Sequence, residues 1–410
     1  MANAHPTRRE WIRQTALLGT SALIGKSIYG TAVADTIDLP FVNGQRPMAT
    51  FPQKRPLILL TRRPPQLETP FSVYNESIIT PNDAFFVRYH LANIPLKIDD
   101  ETYRLSIKGS VKTSLELSLA DLKTQFEQVS TTAVCQCSGN SRGFFKPRVG
   151  GGQLGHGAMG NATWVGVRLK DVLEKAGLAT DAKQVSFNGL DTPAMEKTPD
   201  FVKSLDVEQA LDGEIILAHT MNGEPLPFLN GFPLRLVVPG YYGTYWLKHL
   251  HEITVLSEPF TGFWMATGYR IPANEGACVE PGTAPKSTIP INRMNVRSFI
   301  TSHENGARLK ATQPVEIKGF AFDGGEGIKE VLFSQDGGQT WITTKLGNDL
   351  GKYSFREWTQ TVTPKASKQG SENWMVRAVN RIGQTQPMEP LWNPAGYMRN
   401  VVENVQIHLS

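Results

Sequence analysis

The chain has 410 residues, of which 40% are hydrophobic and 20% are charged. This is ordinary globular composition, and the length is sufficient for two domains. The formal net charge is +4, and the stretch Met1–Ala34 accounts for +3 of it, which leaves about +1 for the rest. So small a charge gives no case for nucleic-acid binding. The three cysteines, Cys135, Cys137 and Cys278, are too few for a disulfide framework.

The N-terminus has the pattern of a twin-arginine export signal. Arg8 and Arg9 are adjacent, a weakly apolar run extends from Thr15 to about Gly30, and Ala32–Ala34 forms a small-residue cleavage site. Residues 1–34 are therefore predicted to direct the folded chain to the periplasm. The alternative is an ordinary surface helix with a chance arginine pair. No other run is long and apolar enough to span a membrane.

The next part of the chain mixes strands and short helices. The proline-rich residues 35–70 are predicted to be an extended lead-in. After them, "AFFVRYHL" and "YRLSIKGSV" are typical of strands because they are rich in β-branched and aromatic residues. "SLADLKTQF" predicts a helix that is capped by Ser118, and "GVRLKDVLEKAGL" predicts a helix that ends at Gly177. "FPLRLVVPG" predicts a buried strand.

From about Pro290 onward the pattern changes to strands alone. "QPVEIKGFAFDGGEGIKEVLFSQDGGQTWITTKL" and "NWMVRAVNRIGQTQP" alternate β-rich runs with Gly-Gly and Asp-Gly turns. This pattern indicates a small antiparallel β-sandwich, and the chain as a whole is predicted to be of the α+β class.

The densest cluster of reactive residues is "TAVCQCSGNSRGFF", which carries Cys135 and Cys137 one residue apart. We expect the two thiols to point to opposite faces and not to pair. Cys137 could be a small buried hydrophobe, a nucleophile, part of a zinc site that lacks its other ligands, or a single thiolate on a metal held mostly by something other than protein. The glycine after Ser138 permits close approach of a large ligand.

Five motifs follow the order of one family. "CQCSGNSR" resembles the molybdenum-binding loop of the sulfite oxidase family, and the same family has counterparts of "FFVRYH", "FNGLD", "NGEPLPFLNGFPLRLVVPG" and "YWLKHL". The C-terminal "WNPAGYMRN" resembles the end of its dimerisation domain. The resemblance runs from about Phe71 to the C-terminus. It implies a mixed α/β molybdopterin-binding catalytic domain over residues 71–289 and an immunoglobulin-like β-sandwich dimerisation domain over residues 290–410.

The resemblance also implies a cofactor and its ligands. The cofactor is one oxo-molybdenum centre with a single pterin (molybdenum-molybdopterin), and no haem is expected in this chain. Cys137 corresponds to the metal ligand, and Cys135 to a packed neighbour. The other residues that correspond to cofactor-binding positions are Arg88, His90, Asp191, Asn230, Arg235 and Lys248. Those that correspond to catalytic positions are Arg88, Arg142 and Tyr269.

The chemistry of these residue types agrees with such roles. Arginine stays charged and presents a planar fork of donors that suits an oxyanion. A phenol such as Tyr269 can donate a hydrogen bond and relay protons. Each residue also has a plainer interpretation: Arg88 as a surface ion pair, Lys248 as a solvated side chain, Tyr269 as a core residue and Asp191 as a turn residue.

The chain departs from the family pattern in three places. Asn230 stands where a histidine is common, and Leu154 stands where the family has a pocket tryptophan. A third anion-binding arginine has no counterpart, since the region reads "GGEGIKE". These departures bear on the details of the pocket and on the substrate.

The resemblance implies a periplasmic sulfite dehydrogenase that oxidises sulfite to sulfate and passes electrons to a separate c-type cytochrome. A homodimer through the C-terminal domain is expected. The alternatives are a periplasmic methionine-sulfoxide reductase, a nitrate reductase core and, from a different class, a cofactor-free β-sandwich binding module.

Overall fold

The structure is a computed structural model that describes residues 31–364 and 370–410. The predicted export signal, with Arg8 and Arg9, lies outside the described residues, whereas its predicted cleavage site Ala32–Ala34 falls within the first strand. No helix in the described part of the chain is long and apolar enough to cross a membrane.

Residues 31–88 contain the strands of a five-stranded antiparallel sheet. Its strands follow the order of the chain: β1 (Thr31–Asp38), β2 (Gln45–Thr50), β3 (Leu57–Thr61), β4 (Gln66–Glu68) and β5 (Val87–Arg88). The prediction of an extended lead-in over residues 35–70 is wrong, because this segment doubles back on itself. Pro64 and Pro65 lie in the turn between β3 and β4, and apolar strand residues such as Leu57 and Leu67 bury a small core.

Between residues 71 and 290 the described chain forms two larger sheets, a strand pair and four α-helices. The helices are α1 (Leu119–Gln125), α2 (Leu169–Ala176), α3 (Val207–Ala210) and α4 (Phe263–Ala266). The strands are β6 (Leu105–Gly109), β7 (Leu115–Leu117), β8 (Gln128–Gln136), β9 (Met159–Arg168), β10 (Gln184–Gly189), β11 (Lys203–Asp206), β12 (Ile216–Met221), β13 (Glu224–Pro225), β14 (Arg235–Val237), β15 (Leu250–Leu256), β16 (Arg270–Pro272) and β17 (Thr288–Pro290). One sheet has the order β11-β10-β15-β6-β7. The other has the order β13-β12-β9-β8, with β14 paired to β12, and β16 pairs with β17.

Both predicted helices are present with their predicted ends. Ser118 caps α1: its hydroxyl accepts a hydrogen bond from the Asp121 backbone N–H at 3.0 Å, and the Asp121 carboxylate accepts one from the Ser118 N–H at 2.9 Å. This reciprocal pair satisfies two N–H groups that the first turn leaves free. The helix α2 ends at Gly177, whose φ of +70° is a conformation that glycine adopts without steric cost.

The long antiparallel pair β8–β9 positions the cysteine loop. Cys135 pairs with Gly160, one position before the end of this register. A side chain has no room at Gly160, because a Cβ there would lie 2.5 Å from the ring of Phe85. Phe85 begins the "FFVRYH" motif, so the glycine allows this motif to pack directly against the strand pair that carries the cysteines.

The C-terminal part is the predicted β-sandwich. Its strands are β18 (Arg297–Ile300), β19 (Ala307–Leu309), β20 (Val315–Phe322), β21 (Ile328–Ser334), β22 (Ile342–Thr343), β23 (Lys345–Leu346), β24 (Arg356–Val362), β25 (Ser371–Asn380) and β26 (Asn404–Leu409). They form sheets of order β18-β20-β24-β23 and β19-β26-β25-β21-β22. The two sheets bury Phe333, Trp358 and Trp374 between them. The predicted fold class, a mixed α/β domain followed by an immunoglobulin-like sandwich, is confirmed.

Candidate active site

A cavity lies where β5, the cysteine loop and the segment from Asn230 to Lys248 meet. All the residues predicted to bind the cofactor line this cavity: Arg88, His90, Cys137, Asp191, Asn230, Arg235 and Lys248. Tyr269 lines it as well. These residues are spread over more than 150 positions of the chain, so their convergence is a property of the fold. Their individual roles stay predictions.

The cysteine loop presents Cys137 through a network of backbone bonds. The Cys137 N–H donates to the Ala158 carbonyl at 2.9 Å, and the Asn140 N–H donates back to the Cys137 carbonyl at 2.9 Å. The side chain of Asn140 accepts from the Ala158 N–H at 3.0 Å. The asparagine of the "SGN" sequence therefore holds the loop against the start of β9, and Cys137, a residue only 8% exposed, lines the cavity.

Cys135 lines the same cavity, contrary to the expectation that the two thiols point to opposite faces. Residues two apart on a strand share a face, so that expectation was wrong. The Cys135 sulfur accepts a hydrogen bond from the Arg235 guanidinium at 3.5 Å, and burial raises the pKa of its thiol to about 11. Cys135 is thus a protonated neighbour that helps to position Arg235, and not only a packing residue.

Arg235 is buried among aromatic rings in the cavity wall. Its guanidinium lies 5.2 Å from the centre of the Trp164 ring and donates to the Asn230 carbonyl at 2.9 Å. Within the described residues its Nε has no hydrogen-bond partner. Burial lowers the pKa of Arg235. A cation in this setting is stabilised when an anionic group enters the cavity.

Lys248 adds a second buried positive charge. Its ammonium donates to the Arg88 carbonyl at 2.8 Å and lies 4.3 Å from the centre of the Tyr89 ring. Burial, and then repulsion by Arg235, lower the pKa of Lys248 to about 8. Burial raises the pKa of Asp191 to about 6, although the positive charge of Lys248 opposes this rise. One carboxylate therefore faces several cations, and the cavity is electropositive.

Asn230, one of the departures from the family pattern, is hydrogen-bonded to Lys54, a residue that no motif singled out. Its side-chain oxygen accepts a hydrogen bond from Lys54, and its amide donates to the Phe86 carbonyl at 3.0 Å. Lys54 also donates to the Phe85 carbonyl at 3.0 Å, and burial lowers the pKa of this lysine to about 7. The connection between β2 and β3 thereby contributes a buried lysine next to the cavity-lining Asn230.

Tyr269 and His90 form a pair at the cavity wall. The tyrosine hydroxyl is hydrogen-bonded to Nε2 of His90, and the His90 ring stacks on Phe201 at 3.8 Å between ring centres. Burial, followed by the charges of Arg88 and Lys248, lowers the pKa of His90 well below its ordinary value, so the ring is neutral. Burial raises the pKa of Tyr269, against the opposing charge of Arg88, so the phenol stays protonated.

The backbone of Tyr269 is in the left-handed region, with φ of +58°. A non-glycine residue in this region costs roughly 1–2 kcal/mol. The contacts of its ring hold it there: the hydrogen bond to His90, and a parallel stack on Tyr397 at 5.3 Å between centres with 8° between planes. Such strain, stored where several contacts overdetermine the position, is common at functional sites.

The structure does not place Arg142 among the residues that line the cavity. The side chain is buried behind the cysteine loop, where Nε donates to the Ala395 carbonyl at 3.1 Å and Nη1 to the Gly152 carbonyl at 3.3 Å. Gly139 permits this, since a Cβ there would lie 2.7 Å from the guanidinium carbon. Arg142 still acts electrostatically on the site, because its charge opposes the rise in the pKa of Tyr269.

Several contributors to the site were missed by the sequence analysis. Tyr397 lies in "WNPAGYMRN", a motif that was related to the family but not to the site. Phe201 and Thr244 line the cavity and carried no signal. Leu154, the second departure, is 3% exposed and belongs to the apolar core.

The chemistry of the cavity lining fits an anionic cofactor that is attached to the protein by one thiolate. Three buried polar atoms of its lining have no hydrogen-bond partner within the described residues: Ser138 Oγ, Thr244 Oγ1 and Arg235 Nε. Buried polar groups are normally satisfied, so these atoms are suited to bind polar atoms of a ligand. In residues 31–364 and 370–410 no three His, Cys, Asp or Glu side chains cluster as a metal site, so the zinc alternative lacks a ligand set there.

The fold and the cavity define a two-domain protein with an electropositive cofactor site, and the comparisons with known proteins identify its family. Residues 90–264 match the family described as oxidoreductase molybdopterin binding domain, and residues 288–410 match the Mo-co oxidoreductase dimerisation domain. The chain is 34% identical to human mitochondrial sulfite oxidase over 388 residues, which is 90% of this chain and 69% of that protein. It belongs to the sulfite oxidase family of molybdopterin oxidoreductases.

Two further comparisons agree. Sulfite oxidase of Arabidopsis thaliana is 30% identical over 396 residues, which is 90% of this chain and 99% of that protein. Among solved structures, the sulfane dehydrogenase SoxCD from Paracoccus pantotrophus has a TM-score of 0.67 at 22% identity, and the match covers 98% of this chain and 92% of that one. This structural similarity supports the fold.

The positive charge of Lys248 gives a prediction about cofactor retention. We expect Lys248→Gln to lose most of its cofactor during purification, because a charge-assisted hydrogen bond contributes about 1.5–3 kcal/mol, or roughly ten- to a hundredfold in affinity. Molybdenum and pterin per chain measure the effect. Lys108→Gln is the matched control, since Lys108 lies on β6 with about half of its side chain exposed (49%). Equal cofactor content in the two variants would contradict the assignment.

Proposed function

We propose that the chain is the catalytic subunit of a periplasmic sulfite dehydrogenase, which oxidises sulfite to sulfate and passes electrons to a separate c-type cytochrome. The observation that carries this proposal is the cavity in which Cys137 lies with Arg88 and Tyr269. Relatives named sulfite oxidase match the chain across both domains, which supports the choice of substrate.

The residues around Cys137 would hold the molybdenum cofactor. Cys137 supplies the thiolate ligand, and Arg235, Lys248 and the Asp191 side chain bind the polar groups of the pterin. When bound, the centre supplies two-electron redox chemistry and oxygen-atom transfer. The protein's contribution is to orient this group and to surround it with fixed positive charge.

The remaining residues would act on substrate and protons. Sulfite and one water become sulfate, two protons and two electrons, and the electrons leave one at a time to the cytochrome. Arg88 binds the sulfite dianion in the cavity, and Arg142 adds positive charge from behind the loop. The neutral His90 and the protonated Tyr269 share a hydrogen bond, so together they can pass a proton from the site.

The assembly is proposed to be a homodimer through residues 290–410. The match of residues 288–410 to a family described as a dimerisation domain supports this. Light scattering of the purified protein measures the mass, which we expect to be twice the 45.3 kDa calculated for the full chain, less any cleaved signal. A single chain in solution would contradict it.

The decisive experiment compares two activities of the purified protein. Molybdenum content is measured first, since a cofactor-free binding module would contain none. Sulfite oxidation with ferricyanide and with a soluble c-type cytochrome is then compared with reduction of methionine sulfoxide by a reduced viologen. We expect sulfite-dependent reduction of both acceptors and negligible sulfoxide reduction. A molybdenum protein that reduces sulfoxide and leaves sulfite unchanged overturns the proposal.

The proposed location gives a prediction about export. Changing both Arg8 and Arg9 to lysine keeps the charge but removes the twin-arginine signal, so we expect active enzyme to accumulate in the cytoplasm. Activity in periplasmic and cytoplasmic fractions measures this, with Arg13→Lys as the control outside the pair. Normal periplasmic activity of the double variant would count against the signal.

A further inference from the structure

The segment that connects β25 to β26 returns from the sandwich domain to the cysteine loop. The Met398 N–H donates a hydrogen bond of 3.0 Å to the carbonyl of Ser138, the residue that follows Cys137 in the chain. The Met398 carbonyl accepts from the side chain of Asn295 at 3.2 Å. The segment is therefore bonded both to the loop and to the start of the sandwich domain.

Tyr397 has a fixed place in this segment. Asn393 closes a turn around it, since its amide donates to the Tyr397 carbonyl at 2.8 Å and its oxygen accepts from the Tyr397 N–H at 3.1 Å. Gly396 adopts φ of +60°, and a Cβ there would lie 2.3 Å from Val149 and 2.9 Å from Arg142. Only glycine at 396 allows the chain to pass this close to the arginine.

The Tyr397 ring contacts Tyr269 and Arg142, two residues to which the proposed function gives a role at the site. It stacks on Tyr269 at 5.3 Å with 8° between ring planes, and the Arg142 guanidinium carbon lies 5.0 Å from its centre. Arg142 is bonded to the same segment, through the Ala395 carbonyl. A single ring from the C-terminal domain thus contacts an arginine and a phenol of the catalytic domain.

We propose that Tyr397 is a positioning residue that holds the Tyr269 phenol in the cavity wall and the Arg142 charge behind the cysteine loop, where both favour binding of an oxyanion such as sulfite or sulfate. This inference rests on the proposed function for its choice of anion. The ring acts through stacking and through a cation–π contact, so the aromatic face matters more than the hydroxyl. The sandwich domain accordingly completes the anion site as well as its expected dimer interface.

The electrostatic setting of Tyr397 supports this arrangement. Burial raises the pKa of Tyr397, and the charges of Arg142 and Arg88 oppose that rise. The same two arginines act on Tyr269. The two phenols therefore lie in one field, and both stay protonated at neutral pH.

The test uses the holoenzyme and two variants that separate ring from hydroxyl. Tyr397→Phe keeps the ring, so we expect less than about a twofold change in the apparent sulfite Michaelis constant and in sulfate inhibition. Tyr397→Leu removes the ring, and a cation–π contact contributes about 0.5–2 kcal/mol, so both constants should rise roughly tenfold. Trp341→Leu is the control, since Trp341 makes the same kind of contact with Arg377, at 4.6 Å, away from the site.

A readout that does not depend on turnover separates this inference from the proposed function. Sulfate that binds the folded protein raises its unfolding temperature, and we expect this rise in the parent, the Phe variant and the Trp341→Leu control but not in Tyr397→Leu. If the parent shows no rise, or if Tyr397→Leu keeps it, the inference is overturned. If the parent binds sulfate but does not oxidise sulfite, the proposed function fails and this inference stands.

The coupling between Tyr397 and Arg142 gives the sharpest test. If the ring acts by positioning Arg142, Tyr397→Leu should have less than about a twofold effect in an Arg142→Gln background, because the interaction is already lost. A merely structural role would lower the unfolding temperature in both backgrounds and leave the anion constants unchanged. Additive effects on the sulfate constant would overturn the inference.

Discussion

Replacing Cys137 by serine is expected to abolish sulfite oxidation while most of the pterin stays bound. In the proposed function the Cys137 thiolate is the soft metal ligand, and a hydroxyl is a poor substitute for it. The contacts proposed for the pterin come from other elements, Arg235 on β14 and Lys248 just before β15, and serine leaves them intact. Turnover, molybdenum content and pterin fluorescence per chain are the measurements.

Cys135→Ser is the matched control, because it makes the same change two residues away in the same cavity. A serine hydroxyl there can still accept the hydrogen bond from Arg235, so we expect activity within a few-fold of the parent. Burial raises the pKa of the Cys135 thiol to about 11, as expected for a neighbour that stays protonated. Comparable losses of turnover in the two variants would contradict the assignment of Cys137.

The sequence predicted best what is local in the chain. The capping box at Ser118 and the stop at Gly177 depend on residues within one helical turn, and both predicted helices are present. The alternation and the Asp-Gly turns of the C-terminal part depend on neighbouring residues in the same way, and the sandwich is present. Local signals of this kind need no knowledge of tertiary contacts.

The sequence predicted less well where long-range packing decides. The lead-in was expected to be extended because its prolines are dense, yet Pro64 and Pro65 lie in a turn between strands that bury Leu57 and Leu67. Lys54 reaches Asn230 across 176 positions, and no pattern in either segment indicates that hydrogen bond. A pair of this kind is visible only once the first sheet has packed against the cavity.

Motif resemblance supplied the candidate residues but not their arrangement. Arg142 was expected in the cavity and is found behind the loop, because Ala395 and Gly152 accept its hydrogen bonds there. Tyr397 was not expected at the site, because it lies 260 residues from Cys137 in the chain. In the structure its ring nevertheless stacks on Tyr269. The placement of these two residues depends on how the domains meet.

Replacing Arg88 by glutamine is expected to weaken the apparent affinity for sulfite by roughly ten- to a hundredfold, because a charge-assisted hydrogen bond contributes about 1.5–3 kcal/mol. Arg142→Gln should weaken it by less, because Arg142 contributes charge from behind the loop and its donors are bonded to the Ala395 and Gly152 carbonyls. Glutamine keeps a donor and removes the charge. Lysine keeps the charge and loses the planar fork, so the Lys variants should be intermediate. Since arginine stays charged at any working pH, its contribution should not titrate away.

The structure separates the two arginines. The Arg142 side chain donates hydrogen bonds to two carbonyls, so Arg142→Gln should also lower the unfolding temperature. Within the described residues the Arg88 side chain donates only to the carbonyl of its neighbour Tyr89. Arg88→Gln is therefore the cleaner measure of anion binding. Sulfate should inhibit the parent competitively and both Gln variants more weakly. If both variants keep the parent's sulfite affinity and sulfate inhibition, the anion does not bind at this cavity, and a neutral substrate such as a sulfoxide becomes the better assignment.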